Sequence, residues 1–202
     1  MPMVRRIACL LSLAMVMTAG VARAAEPQEV IKAYIDNFVR VLRDPAYAGE
    51  ANKAEQSERL WQVIQGGFDF QGIATVAVGP NWRGFSQAEK DEFSQVFAQL
   101  LRTNYLKKIQ DNYQRQEVRI LTQEVYDGKK ALVKSSINRP GGDIPVDYRL
   151  WLRDGRWQIY DVTVEGVSLV QNYRTQFNEF LLKGTPAGLV QRVKEMQIKE
   201  QG

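Results

Sequence analysis

Apolar residues recur at helical spacing through the first half of the chain. Pro27 begins the first such run, which ends near Asp44-Pro45. Its apolar positions share one face: Ile31, Tyr34, Ile35, Phe38 and Leu42. A second apolar run starts at Leu60 after a polar stretch and ends at Gly66-Gly67. A third apolar run follows Ser86-Gln87-Ala88-Glu89, a capping box in which the serine and glutamate side chains satisfy backbone donors of the first turn. The apolar face of this third run consists of Phe93, Val96, Phe97, Leu100, Leu101 and Tyr105. This half of the chain is therefore predicted to be helical.

From Glu117 the hydrophobic period changes to that of β-strands. Four strand-like runs cover residues 118–123, 129–137, 144–153 and 156–164. Asp127-Gly128, Pro140-Gly141-Gly142 and Asp154-Gly155 separate them, and such sequences are typical of hairpin turns. The pattern predicts a four-stranded antiparallel meander.

The third predicted strand has one apolar face. Ile144, Val146, Tyr148, Leu150 and Leu152 alternate with Asp147, Arg149, Trp151 and Arg153. Helices laid across a twisted, concave sheet leave a space between the layers. Alternation puts Tyr148 and Leu150 on one face, but it does not say which face of the sheet would line that space.

Helices are predicted again after the sheet. Ser168 and Gln171 have the spacing of another capping box, and Gly184 ends the helix that follows. The inward face of this helix is expected to carry Val170, Tyr173, Phe177 and Leu181. Thr185-Pro186 begins a last helix. The expected fold is α+β, in a single domain over residues 25–202: helical over 25–115, an antiparallel sheet over 116–165 and C-terminal helices over 168–200.

Residues 1–24 have the features of an export signal. Arg5 and Arg6 precede an apolar stretch at 7–17, and Ala22-Arg23-Ala24 fits a signal peptidase site. The alternative is a buried N-terminal helix. Cleavage after Ala24 would remove Cys9, the single cysteine. It would also leave the 23 acidic side chains nearly balanced by basic ones, so we expect no binding of nucleic acid, which favours a concentrated positive face.

Candidate catalytic chemistry is sparse. The chain has no histidine, the commonest general base and metal ligand, and no phosphate-binding glycine motif. Asp161 and Glu165 could form an acid/base pair, or Asp161 could pair with Arg149 or Arg174 while Glu165 lies in a turn. Tyr148, Tyr160 and Tyr173 could hydrogen-bond a ligand head group, or simply pack their rings. We expect no catalytic residue, no cofactor and no metal.

One segment has a more specific resemblance. Residues 160–177, YDVTVEGVSLVQNYRTQF, closely resemble the signature of the periplasmic phospholipid-binding carriers of the Mla pathway, also called toluene-tolerance auxiliary proteins. Asn81-Trp82-Arg83, the capping box at Ser86, Val146-Asp147-Tyr148-Arg149 and Gly188-Leu189-Val190 extend the resemblance over nearly the whole chain after residue 24. The block from Glu165 to Ser168 is its most specific part.

The resemblance implies an NTF2-like fold, in which helices cover a curved sheet and an apolar cavity encloses lipid tails. It implies a periplasmic protein that binds phospholipid as a transported ligand. Its partners would be an outer-membrane lipoprotein complex and an inner-membrane ABC transporter with an MCE-type domain, and a shuttle favours a monomer. The residues expected to line the cavity come from helices and strands: Leu101, Tyr105, Tyr148, Leu150, Val162, Val164, Val170 and Tyr173.

Three alternatives remain open at this stage. A hopanoid carrier would share the fold and differ in its ligand. A hydrolase or isomerase on the same scaffold would use Asp161. A protein-binding adaptor would use the apolar sheet face as an interface instead of a cavity.

Overall fold

The structure is a computed structural model that describes residues 25–201. Its first half is helical, with α1 (Pro27–Arg43), α2 (Lys53–Gly67), α3 (Phe70–Val78), α4 (Gln87–Leu101) and α5 (Lys107–Asn112). Short 3-10 turns lie between some of these helices, at Pro45–Tyr47, Glu50–Asn52 and Gly79–Gly84, and a π-helical turn, Arg102–Leu106, joins α4 to α5. The strands are β1 (Val118–Tyr126), β2 (Lys130–Ile137), β3 (Ile144–Arg153), β4 (Arg156–Val164) and β5 (Val167–Ser168), and α6 (Leu169–Leu181) and α7 (Pro186–Gln201) follow. The predicted α+β class is confirmed.

The sheet is antiparallel with neighbouring strands in chain order, β1-β2-β3-β4-β5. The prediction of four strands was wrong, because β5 pairs with β4 through Thr163↔Ser168 and Val164↔Val167. Glu165 (φ +50°) and Gly166 (φ +82°) both adopt left-handed backbone, as the tight two-residue turn between these strands requires. A strand of two residues is too short to show any alternation in the sequence.

A bulge in β4 sets which side chains face the helices. Arg149 pairs with Asp161 but Leu150 pairs with Ile159, so Tyr160 is an additional residue in the ladder. Because of this extra residue, Ile159 and Val162 both join the buried apolar face. Tyr160 lies against the indole of Trp151, with ring centroids 4.5 Å apart.

Helix α1 covers the inner face of the sheet. The buried residues of this layer, which we call the sheet cluster, are Ile31, Ala131, Val133, Val146, Leu150, Trp157, Ile159 and Val162. The start of α1 is fixed on β1, because the backbone N–H of Gln28 donates to the Gln123 side chain at 2.9 Å. Ile31 of α1 packs against the strands and is only 1% exposed to solvent.

A second apolar layer lies between α3, α4, α6 and α7. It is centred on an aromatic group, Phe93, Phe97, Tyr173 and Phe177, whose neighbouring rings lie 5.1–5.7 Å apart, and we call it the helical cluster. The predicted capping box at the start of α4 is confirmed, since Ser86 N donates to Glu89 Oε2 at 2.8 Å and Glu89 N donates to Ser86 Oγ at 3.3 Å. Within residues 25–201, no helix is long and apolar enough to cross a membrane. The predicted export signal lies outside the described residues.

Candidate functional site

The two apolar clusters meet at the junction between α2 and α3. Phe68 packs against both clusters. The chain is held on the sheet there, because Asp69 N donates to the carbonyl oxygen of Ile159 at 2.9 Å and Phe68 forms an isolated bridge with the same strand residue. The start of α6 is a second meeting point, since Leu169 packs on the sheet cluster and Val170 on the helical cluster. The region between the clusters is the candidate site.

The structure divides seven of the eight predicted lining residues between these clusters. Leu150 and Val162 are buried in the sheet cluster, and Tyr148 packs beside them. The helical cluster contains the four predicted helix residues: Leu101, Tyr105, Val170 and Tyr173. Val164 joins neither group and is 38% exposed at the end of β4. A lining role for these residues stays a prediction.

The expected enclosed cavity between sheet and helices is not seen in the described part of the chain. Two hollows lie among the helices instead. One, of about 510 Å³, is open to solvent and lined by Trp61, Gln65, Phe70, Ser94, Gln95, Val96, Ala98, Gln99 and Gln197. The other, of about 450 Å³, lies between α6 and α7. The expectation was wrong for this structure because the inner side chains fill the space, with Val133 and Leu150 completely buried.

Tyr148 places a hydroxyl group on the apolar face of the sheet. Burial raises the pKa of Tyr148 to about 12, and a hydrogen bond with Ser135 lowers it by less. The residue as a whole is only partly buried, while its hydroxyl is surrounded by protein. Ser135 in turn donates to the carbonyl oxygen of Val146 at 2.9 Å. The phenol therefore stays neutral at physiological pH and adds no charge to the site.

The π-helical turn between α4 and α5 contacts two different helices, α2 and α6. Leu106 packs with Leu60 and Trp61 of α2, and Arg102 pairs with Glu58. Asn104 lies toward α6, where its Nδ2 donates to the hydroxyl of Tyr173 at 2.8 Å. Sequence reasoning missed Asn104, because an isolated polar residue inside a helical stripe does not show which neighbour it meets. It also missed Phe68, whose role depends on the contact of the α2–α3 junction with β4.

Asp161 is a buried carboxylate between β4 and the start of α6. It is 7% exposed, accepts a hydrogen bond from Ser168 Oγ at 2.7 Å and another from Val170 N at 3.2 Å, and lies 4.0 Å from Arg149. The predicted capping box at Ser168 is present only in part: Gln171 N donates to Ser168 Oγ at 3.0 Å, while the serine hydroxyl donates to Asp161. These contacts fix the start of α6 on β4.

Glu165 has a different environment from Asp161. Its side chain is 60% exposed in the β4–β5 turn and lies 3.8 Å from Arg139. A shared acid/base site for the two carboxylates therefore has no support in the geometry. Among residues 25–201 no group of histidine, cysteine, aspartate and glutamate side chains is arranged to hold a metal ion.

Comparisons with known proteins agree with this architecture. A structure of a phospholipid-binding protein from Ralstonia solanacearum, solved with a phospholipid at 1.53 Å, matches with a TM-score of 0.77. The match has 24% sequence identity and covers 88% of this chain and 100% of that one, so it shows a shared fold. No protein with a curated description matches. The family model described as MlaC protein matches residues 32–195, and the chain therefore belongs to the MlaC protein family.

Proposed function

We propose that this protein is a phospholipid carrier that shields acyl chains from water while it moves lipid between membranes. The observation that carries the proposal is the match of the MlaC family model to residues 32–195. The phospholipid complex of the Ralstonia solanacearum protein, which has the same fold, supports it.

The free energy of acyl-chain hydration explains why a carrier must enclose its ligand. Two chains of about 16 carbons, at about 0.8 kcal/mol per methylene, cost on the order of 25 kcal/mol to expose to water. A carrier need only match the bilayer from which the lipid comes, because both are apolar environments. The direction of transfer can then be set by the partners.

The acyl chains are proposed to lie between the sheet cluster and the helical cluster. Both layers have apolar side chains that are only partly buried, including Ile144, Tyr148 and Leu152 on the sheet and Leu101 and Tyr105 on the helices. Such side chains can exchange their remaining solvent contact, and contacts with each other, for contact with a lipid chain. In this arrangement the lining residues come from both layers. The residues that the sequence analysis predicted to line the cavity likewise include members of both clusters.

The proposed setting is the periplasm, with residues 1–24 acting as the export signal. The proposed partners are an outer-membrane lipoprotein complex and an inner-membrane ABC transporter with an MCE-type domain, and the carrier is proposed to act as a monomer that maintains outer-membrane lipid asymmetry. The cargo is phospholipid, and no catalytic step or cofactor is part of the proposal. The engagement of Asp161 by Ser168 and Val170 supports a structural role for this carboxylate instead of a catalytic one.

Native mass spectrometry of the mature protein, expressed with export and followed by solvent extraction, tests this function. We expect a bound species of phospholipid mass. Leu101→Gln, on a partly buried residue, should reduce its occupancy without unfolding the protein, whereas Leu150→Gln changes a completely buried residue and must first be shown to fold. Leu182→Gln is the matched control, because Leu182 is 81% exposed.

Three outcomes would contradict the proposal. A hopanoid mass would identify another cargo. A clean apo spectrum that persists after incubation with phospholipid vesicles would remove the carrier function and favour a protein-binding adaptor. Equal lipid occupancy in Leu101→Gln, Leu182→Gln and the native protein would place the lipid elsewhere.

A further inference from the structure

The larger of the two hollows is open to solvent and lies among α2, α3, α4 and α7. Its volume is about 510 Å³, and none of its nine lining residues carries a charge. Three exposed glutamines line it: Gln65, Gln95 and Gln99. Trp61 and Phe70 line it as well and are more deeply buried. The hollow therefore combines neutral hydrogen-bonding groups near solvent with aromatic rings below them.

A row of aromatic rings connects this hollow with the region between the two clusters. The ring centroid of Trp61 lies 5.2 Å from that of Phe70, and the centroid of Phe70 lies 6.0 Å from that of Phe68. Phe68 packs against both the sheet cluster and the helical cluster. Phe70 packs against the helical cluster and is only half-buried. Phe70 is thus the ring that separates the open hollow from the proposed location of the acyl chains.

We propose that this hollow holds the head group of the bound phospholipid, and that the acyl chains pass Phe70 to reach the space between the clusters. This inference rests on the proposed carrier function. Burial of a charged phosphate in an apolar interior is costly, so the head group stays where the protein is open to solvent. The acyl chains gain free energy by leaving water, so they continue past the aromatic rings into the protein.

The neutral lining determines which part of the head group is recognised. A glutamine amide donates from Nε2 and accepts at Oε1. Its donors suit the phosphate and ester oxygens, which all glycerophospholipids share. Because no lining residue is charged, the hollow has no electrostatic means of separating a zwitterionic from an anionic head group. We therefore expect phosphatidylethanolamine and phosphatidylglycerol with the same chains, each a trace component of the same vesicles, to be taken up at rates within about twofold of each other.

Thiol labelling of the mature protein tests the position of the head group. Residues 25–202 contain no cysteine, so Gln99→Cys places a single thiol in the hollow. Gln191→Cys is the matched control, because Gln191 is an exposed glutamine of α7 outside the lining. Loading about 90% of the protein with phosphatidylethanolamine should slow maleimide labelling of Gln99→Cys about tenfold, since only the lipid-free fraction reacts. Labelling of Gln191→Cys should not change.

Transfer kinetics with vesicles test the route past Phe70. Phe70→Ala removes the ring from the route, so uptake and release of phosphatidylethanolamine should become several-fold faster by the same factor, while the occupancy at equilibrium stays the same. Phe180→Ala is the matched control, because Phe180 is also a half-buried phenylalanine packed against the helical cluster and does not line this hollow. A general loss of packing would change both variants alike. Thermal unfolding confirms that each variant is folded.

Equal labelling of Gln99→Cys in lipid-loaded and lipid-free protein would overturn the position of the head group. Transfer rates of Phe70→Ala equal to those of the native protein, or of Phe180→Ala, would overturn the route. If Phe70→Ala does not fold, a bulky maleimide attached to Gln99→Cys provides the same test, since it should block uptake and the same label on Gln191→Cys should not. Failure of the native protein to take up either lipid would instead remove the proposed carrier function, so the two failures are distinguishable.

Discussion

Replacing Asp161 by alanine should strongly destabilise the protein. The carboxylate accepts from Ser168 Oγ at 2.7 Å and from Val170 N at 3.2 Å, and it is 7% exposed. A hydrogen bond to a charged group is worth about 1.5–3 kcal/mol, and its loss leaves two donors unpaired at the start of α6. Because the two bonds share one acceptor group, we expect a loss of about 3 kcal/mol in the free energy of unfolding.

Urea unfolding followed by circular dichroism measures this loss. For a chain of this size it corresponds to a fall in Tm of about 6–12 °C. Asp161→Asn keeps one acceptor oxygen and should lose about half as much. Glu165→Gln is the matched control, since this carboxylate is 60% exposed in the neighbouring turn and its change should stay within about 0.5 kcal/mol. An Asp161→Ala protein as stable as Glu165→Gln would refute the argument that this carboxylate fixes α6.

Two further predictions concern packing and pH. Gly72→Ala should lower the free energy of unfolding by about 1–3 kcal/mol, because the new Cβ would lie 1.8 Å from Cζ2 of Trp151. Gly66→Ala is the control: its Cβ would have no atom within 4 Å, so this change should be neutral or stabilising, and equal urea midpoints for the two variants would contradict the prediction. Alkaline pH should destabilise the native protein more than Tyr148→Phe. The buried phenol has its pKa raised to about 12, so its contribution is fully present below pH 10 and is lost as the pH rises from 10 toward 12. Measured by urea unfolding, the pH-dependent loss in the free energy of unfolding should be larger in the native protein than in Tyr148→Phe by on the order of 2 kcal/mol. Parallel pH profiles of the two proteins would show that Tyr148 is not the group responsible.

The parts of the fold that depend on local sequence could be predicted. Asp127-Gly128 and Asp154-Gly155 form hairpin turns in which both residues have positive φ, as that dipeptide favours. The Ser86 capping box starts α4 for the same kind of reason, because all its hydrogen bonds lie within four residues. The resemblance in residues 160–177 led to the correct family.

The parts that depend on contacts distant in sequence could not be predicted. Nothing in an alternating strand shows that Tyr160 is the additional residue of a bulge, because the shift appears only against β3. The contact of Asn104 with Tyr173 joins residues 69 positions apart. The division of the predicted lining residues between two clusters also escaped prediction, since periodicity identifies the apolar face of each element and not the element that covers it.

The most specific block of the family resemblance is explained by fold geometry before any ligand is considered. Glu165 and Gly166 make the reversal from β4 to β5, and Ser168 joins the helix cap to the buried Asp161. As a result Leu169 lies on the sheet cluster and Val170 on the helical cluster. A carrier that holds lipid between these two layers needs a fixed joint where they meet, so that a ligand can displace side chains without separating sheet from helices. On this argument the segment 160–177 marks the family because it ties the two walls of the proposed site together, and variants that loosen it should lose fold stability and lipid retention in parallel.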